Sequence, residues 1–300
     1  MELLESLHGI IPPLVTPLLD QNTLDVDGLE RLVEHVLDGG VSGVFVLGTT
    51  GEFASLTYEL RRECITQTCR IVNERVPVFV GVADTSPDLT VEMTTYARNA
   101  GVSCVVLAPP YYYLISQPEL LAYMQHLIQQ LPLPVLLYNM PGTTKLTYEP
   151  ATVRALADLP NVVGLKDSSN SMIYFNELLL ALKDIPDFAL FVGPDALLAE
   201  AILLGARGGI CASANVYPNL LVQVYNAARD KDVDRVRELQ EILMRLRTTV
   251  FSVGTGGSRY IKCIKYALAA KGICSAVLAE PMQPFSEEEK AEVERLVAHT

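Results

Sequence analysis

Eight short apolar runs, each followed by a segment of helical periodicity, constrain this chain more than any other feature. The runs lie at 10–15, 43–47, 77–82, 104–108, 134–138, 162–165, 188–192 and 208–212. They are nearly continuous in hydrophobicity instead of alternating, the pattern of parallel strands covered on both faces. The first intervening segment is the clearest. Leu29, Leu32, Val33, Val36 and Leu37 recur at helical spacing, Asp25 is placed to cap the start, and Gly39-Gly40 to stop it. Thr57 is placed to cap the second helix, which is expected to run to about Arg75, before Pro77. Further helices are expected near 87–100, 118–131, 149–158, 171–184, 195–205 and 218–229. Units of about 25–35 residues, repeated eight times, predict an α/β fold, a (β/α)8 TIM barrel over residues 1–230. An open doubly wound sheet is the rival architecture, but the first βα turn lacks G-x-G-x-x-G. Residues 231–300 continue with helical patterns only, at about 232–250, 257–271 and 286–298, and read as a C-terminal helical region.

Composition narrows the function classes. The chain has 23 Lys and Arg against 35 Asp and Glu, a net charge of −12. That is the wrong balance for nucleic acid, whose phosphates require a basic footprint. No apolar run reaches the roughly 20 residues of a membrane span. Met1 to Gly9 lacks the cationic and apolar parts of a signal peptide. The six cysteines form no C-x-x-C pair and lie in apolar or helical stretches, so they read as buried thiols of a cytoplasmic protein.

In a barrel of this type the residues just beyond each strand form the working face. Here they are Gly48-Thr49-Thr50-Gly51-Glu52, Pro109-Pro110-Tyr111-Tyr112-Tyr113, Tyr138-Asn139-Met140-Pro141, Lys166-Asp167-Ser168-Ser169, Gly193-Pro194-Asp195 and Ser213-Ala214-Asn215. Lys166 is the sharpest feature. A lysine ending an apolar strand loses hydration, desolvation favours the neutral amine, and a neutral amine can form a Schiff base with a ketone. The bland reading of such a lysine is a side chain snorkelling to solvent. Tyr138, ending the preceding strand, is expected beside it as a proton shuttle. Thr49 and Thr50, flanked by glycines, offer hydroxyls and amides for a substrate carboxylate. The Asp167-Ser168 step is expected to cap the sixth helix. The four histidines, His8, His35, His126 and His299, end no strand, so neither a zinc-type aldolase nor a Ser-His-Asp hydrolase finds its residues.

These motifs together resemble the dihydrodipicolinate synthase/N-acetylneuraminate lyase family of pyruvate-handling class I aldolases. The likeness covers nearly the whole chain, through G-T-T-G-E at 48–52, P-P-Y-Y at 109–112, Y-N-x-P at 138–141, G-L-K-D at 164–167, G-x-D at 193–195 and G-G-I at 208–210. The resemblance implies that Lys166 forms the Schiff base with pyruvate and that Tyr138 relays protons. Thr49 and Thr50 would hold the 2-oxo acid carboxylate, and Thr50 would link Tyr138 to Tyr112 of a neighbouring subunit. Ile210 would line the pyruvate pocket through its backbone, with Gly193 at the seventh strand end. It further implies a homotetramer, a dimer of dimers, that uses no metal or organic cofactor.

Two departures bear on the aldehyde. The position of the arginine that grips the aldehyde carboxylate in dihydrodipicolinate synthases is Thr143, and an acidic residue of sialic acid lyases is replaced by Ala196. A hydroxyl does not replace a bidentate clamp. The hydroxyls of Thr143, Thr144, Ser168 and Ser213 suit a 2-keto-3-deoxy sugar acid or 4-hydroxy-2-oxoglutarate. Condensation of pyruvate with aspartate semialdehyde is the alternative activity, and a non-catalytic barrel sensing a 2-oxo acid is the alternative of another class.

Overall fold

The computed structural model describes residues 7–299. The first part of the segment read for a signal peptide lies outside them. The eight parallel barrel strands are β1 (Gly9–Ile10), β4 (Val44–Val46), β5 (Val78–Gly81), β6 (Cys104–Leu107), β7 (Val135–Asn139), β8 (Val162–Asp167), β9 (Ala189–Val192) and β10 (Gly208–Gly209). Their order, β1-β10-β9-β8-β7-β6-β5-β4, leaves β1 and β4 at the two ends. Backbone bonds join those ends. Gly9 and Ile11 donate to Arg207 and Gly209 on one flank of the first strand. Ser42 and Phe45 donate to Ile10 and Pro12 on the other, and Leu14 donates to the Phe45 carbonyl at 2.7 Å.

The apolar run at 10–15 predicts a longer first strand than the structure has, which is regular only at Gly9–Ile10. Pro12 and Pro13 have no N–H to give to the ladder, which explains the truncation. Asn215 repairs the gap. Its amide donates to the Pro13 carbonyl at 2.9 Å, and its side-chain oxygen accepts from Val15 N at 3.0 Å. The eighth run, expected over 208–212, likewise gives only two strand residues before a 3-10 turn at Ala212–Asn215. A small antiparallel hairpin, β2 (Leu18–Asp20) with β3 (Thr23–Leu24), follows the first strand without an apolar run to announce it. Asp20 closes it locally by accepting from Asn22 N and the Thr23 hydroxyl.

The outer helices are α1 (Val26–Asp38), α2 (Tyr58–Val72), α3 (Pro87–Asn99) and α4 (Gln117–Ile128). After the unanticipated single turn α5 (Pro141–Thr144) come α6 (Pro150–Leu156), α7 (Met172–Ala181), α8 (Leu198–Leu204) and α9 (Pro218–Arg229). The expected helix over 195–205 opens as a 3-10 turn at Asp195–Leu197. Local chemistry sets the helix starts. Asp25 accepts from Gly28 N at 2.8 Å, and Thr57 from Leu60 N at 3.2 Å. The C-terminal part comprises α10 (Val233–Thr248), α11 (Arg259–Ala270) and α12 (Glu287–Val297). Ser286 and Glu289 form a reciprocal capping box at the start of α12.

Two bodies of apolar packing follow from this arrangement. Inside the barrel, Ile11, Phe45, Phe79, Leu136, Tyr138 and Phe191 pack in one cluster. Between strands and helices runs a larger core that continues without a break into Leu239, Leu243 and Val293 of the C-terminal helices. Each such side chain contributes about 1.5–3 kcal/mol on burial. The C-terminal part therefore shares its core with the barrel. No helix among the described residues is long and apolar enough to cross a membrane.

Candidate active site

Strand pairing decides which strand-end side chains meet. β7 and β8 run in register with Tyr138 opposite Lys166 and Asn139 opposite Asp167. Alternation along a strand turns Lys166 and Tyr138 into the barrel and their neighbours outward. Lys166 Nζ lies 4.4 Å from the centre of the Tyr138 ring and 5.2 Å from that of Phe45. Its side chain is buried, and it forms no ion pair among the described residues. The snorkelling alternative is excluded by that burial.

The outward pair acts as a clamp that sequence reasoning missed. Asn139 donates to Asp167 Oδ1 at 2.8 Å and accepts from Tyr148 N at 3.2 Å. Asp167 also accepts from Ser169 N and from the Ser169 hydroxyl. Burial pushes the Asp167 carboxyl above the usual carboxylate range, and the Asn139 and Ser169 hydrogen bonds oppose it. The strand thus extends through Asp167, and Asp167-Ser168 does not cap the following helix. Ser171 does, accepting from Tyr174 N at 3.2 Å. An asparagine and an aspartate at adjacent strand ends were the available signal, but pairing register had to be known to read it.

A cavity of about 290 Å3 opens beside the lysine, walled by Phe45, Thr49, Val106, Tyr111, Tyr138 and Thr143, among others. Its wall contains no lysine or arginine. Met140, Met282, Phe53, Ala54 and Ala83 make much of it apolar. Gly48 has a steric role here. A Cβ on it would stand 2.8 Å from the Phe45 ring that underlies Lys166. The turn that follows is bracketed by two non-glycine residues in the left-handed region, Leu47 at φ 58° and Glu52 at φ 57°.

Of the other expected residues Thr49 and Thr143 line the cavity, whereas Thr50, Ile210, Gly193, Ser213 and Tyr112 are not among the residues that wall it. Ile210 is buried in the barrel interior with Tyr138. Gly193 donates to the Asp167 carbonyl at 2.7 Å, and a Cβ there would collide with Ser168 Oγ. Ser213 is fully buried, and its hydrogen bond is among those that oppose the upward push of burial on the Asp195 carboxyl. Asp195 Oδ2 accepts from the Tyr260 hydroxyl of α11. Burial pushes the Asp195 carboxyl up, and the Tyr260 hydrogen bond opposes this. Thr143 donates to the Met140 carbonyl at 3.1 Å, and Lys145 Nζ to the Gly142 carbonyl at 2.7 Å. Tyr112 stands apart. It is 77% exposed and stacks edge-on against Tyr113 at 5.0 Å, so no Thr50–Tyr138–Tyr112 chain forms within one molecule. No group of three or more His, Cys, Asp or Glu among the described residues is arranged to hold a metal ion.

Comparison with known proteins gives the family. The dihydrodipicolinate synthetase family model matches residues 6–300. The dihydrodipicolinate synthase structure from Bacteroides thetaiotaomicron is similar at TM-score 0.96 and 49% identity, covering 98% of this chain and 99% of that one. Escherichia coli K12 YagE, assigned provisionally as a 2-dehydro-3-deoxy-D-gluconate aldolase, is 32% identical over 96% of this chain and 95% of its own length. Its structure in complex with pyruvate superposes at TM-score 0.91, with 97% of this chain and 98% of that one covered. A 4-hydroxy-tetrahydrodipicolinate synthase of Pseudomonas savastanoi is 35% identical over 81% of this chain and 82% of its own. The chain belongs to the dihydrodipicolinate synthetase family and is a lyase of that family of pyruvate-handling enzymes.

Proposed function

We propose that the protein is a Schiff-base aldolase that cleaves, or forms, a 2-oxo acid from pyruvate and an uncharged hydroxyaldehyde. The observation that carries this reading is the pairing of Tyr138 with Lys166 beside the cavity, with Nζ over two aromatic rings. Lys166 Nζ attacks the C2 carbonyl, a carbinolamine forms, and loss of water gives the iminium. Tyr138 supplies and removes the protons of these steps, then takes the proton of the C4 hydroxyl as the C3–C4 bond breaks. The bonding pair flows into the iminium and leaves an enamine plus the free aldehyde. Protonation at C3 and hydrolysis return the lysine and release pyruvate. The hydroxyls of Thr49 and Thr50 hold the carboxylate.

The aldehyde class rests on the far wall. Thr143 occupies the place where a guanidinium would be needed for aspartate semialdehyde, and Lys145 is engaged with its own turn. A 2-keto-3-deoxy sugar acid, whose aldehyde product is uncharged and hydroxylated, meets this condition and meets the Thr143 and Thr144 side chains on the cavity wall. In an aldehyde panel with pyruvate, glyceraldehyde or glycolaldehyde is expected to exceed aspartate semialdehyde in kcat/KM by about 100-fold, the scale of one charge-assisted contact. Equal or faster use of aspartate semialdehyde would make the synthase alternative the correct one.

The same reading extends to assembly and location. Tyr112, Tyr113 and Leu114 are more than 70% exposed, as is Ile173 at 77%, while Leu180 reaches 70% and Leu204 51%. Exposed apolar groups at two separate places suit two kinds of subunit contact, hence a homotetramer in which Tyr112 serves a neighbour's site. Sedimentation of the wild type is expected to give a tetramer, and Tyr112→Ser a smaller species with about tenfold lower activity. A monomeric, fully active wild type would refute this. The free, mostly buried thiols fit a cytoplasmic location.

A further inference from the structure

Glu52 follows the glycine-rich turn directly and borders the cavity, yet its side chain is wholly excluded from solvent. Its carboxylate is held entirely from the C-terminal part. Lys265 of α11, equally buried, forms an ion pair with Glu52 Oε1. Ala279 N donates to Oε2 at 2.8 Å. Lys265 Nζ also donates to the Val277 carbonyl at 2.6 Å, which fixes the ammonium in turn. On its backbone side Glu52 N donates to the Thr49 carbonyl at 3.1 Å, and the Thr16 hydroxyl donates to the Gly51 carbonyl at 2.7 Å. A displacement of Glu52 therefore reaches Thr49 through one hydrogen bond.

A buried ion pair is a poor source of stability, because desolvation offsets most of the attraction. It does supply a fixed position and local neutrality. Both matter at this turn. Glu52 sits at φ 57°, a conformation that non-glycine residues keep only where their surroundings enforce it. An anionic carboxylate bound at Thr49 and Thr50 would also meet the uncompensated charge of Glu52 if the ammonium were absent.

We infer that Lys265 is a positioning residue, which pins and neutralises Glu52 so that the Thr49–Thr50 turn can receive the carboxylate of the 2-oxo acid. The inference rests on the aldolase reading above. It gives the C-terminal part a role in substrate affinity through side chains distant from the reacting atoms.

The test measures the pyruvate concentration that gives half-maximal borohydride trapping on Lys166, by intact mass of the full chain, together with the melting temperature. Lys265→Met is expected to raise that concentration about tenfold while leaving the plateau of trapped protein within about twofold, a loss of binding with the chemistry retained. Glu52→Asp keeps the charge but is one methylene too short to reach Lys265 and Ala279 together. It is expected to shift half-saturation in the same direction. A lowered melting temperature with unchanged half-saturation in either folded variant overturns the inference and leaves Lys265 a structural residue. If Lys265→Met does not fold, Glu52→Asp decides by the same criterion. Absence of trapping in the wild type itself would instead overturn the aldolase reading, and this inference with it.

Discussion

Replacing Lys166 by alanine is expected to abolish turnover and, with it, the mass increment that borohydride and pyruvate leave on the wild-type chain. The chain has eight lysines, and only Lys166 and Lys265 are buried. Lys265 is committed to Glu52 and to the Val277 carbonyl. Lys166 Nζ lies over two aromatic rings and forms no ion pair among the described residues, so its amine is the one available to a carbonyl carbon. Removal of a covalent nucleophile lowers kcat by more than about 10^4-fold. Lys166→Arg is the informative control, since a guanidinium keeps the charge but does not lose its proton under enzyme conditions. It too is expected to be inactive and untrapped. A pyruvate adduct persisting in Lys166→Ala, located by peptide mapping to another lysine, would refute the assignment.

Tyr138→Phe separates the proton relay from the nucleophile. The phenylalanine preserves the ring under Lys166 and the packing inside the barrel, so the site's shape is retained. Only the phenolic hydroxyl is lost. Turnover is expected to fall by about 10^2–10^4-fold, the usual yield of positioned acid–base catalysis. The adduct on Lys166 should still form given time, because iminium formation can draw protons from water. That combination, slow chemistry with intact trapping, is what distinguishes a relay from a residue needed only for packing. Wild-type kcat in Tyr138→Phe would remove the hydroxyl from the mechanism. Loss of trapping together with a lowered melting temperature would make Tyr138 a structural residue.

Much of the barrel is legible because its signals are local. A strand buried on both faces announces itself by an unbroken apolar run, and a helix by its period and cap. Asp25, Thr57 and Ser286 all cap where their side chains alone suggest. The errors arise where a distant partner overrides the local cue. Asp167 looks like a helix cap beside Ser168, but Asn139 of the neighbouring strand and Ser169 engage it, and Ser171 caps instead. The run at 10–15 reads as one strand, although two prolines deny it donors and Asn215, some two hundred residues away, completes the closure.

The site divides along the same line. Which residue types stand at the strand ends is a property of the sequence by itself, because a (β/α)8 pattern assigns every post-strand residue to one face. Lys166, Tyr138 and the threonine pair are found that way, and so is the absent arginine at Thr143. Tertiary structure alone decides what those residues can do. Register sets Tyr138 opposite Lys166. Burial and pairing decide that one interior lysine has no ion pair among the described residues, while the other is bound to a carboxylate that also accepts from Ala279, 227 residues further along the chain. Exposure turns Tyr112 away from its own cavity. Periodicity and capping act over a few residues, whereas an ion pair or a strand register depends on contacts between segments that only the closed barrel brings together.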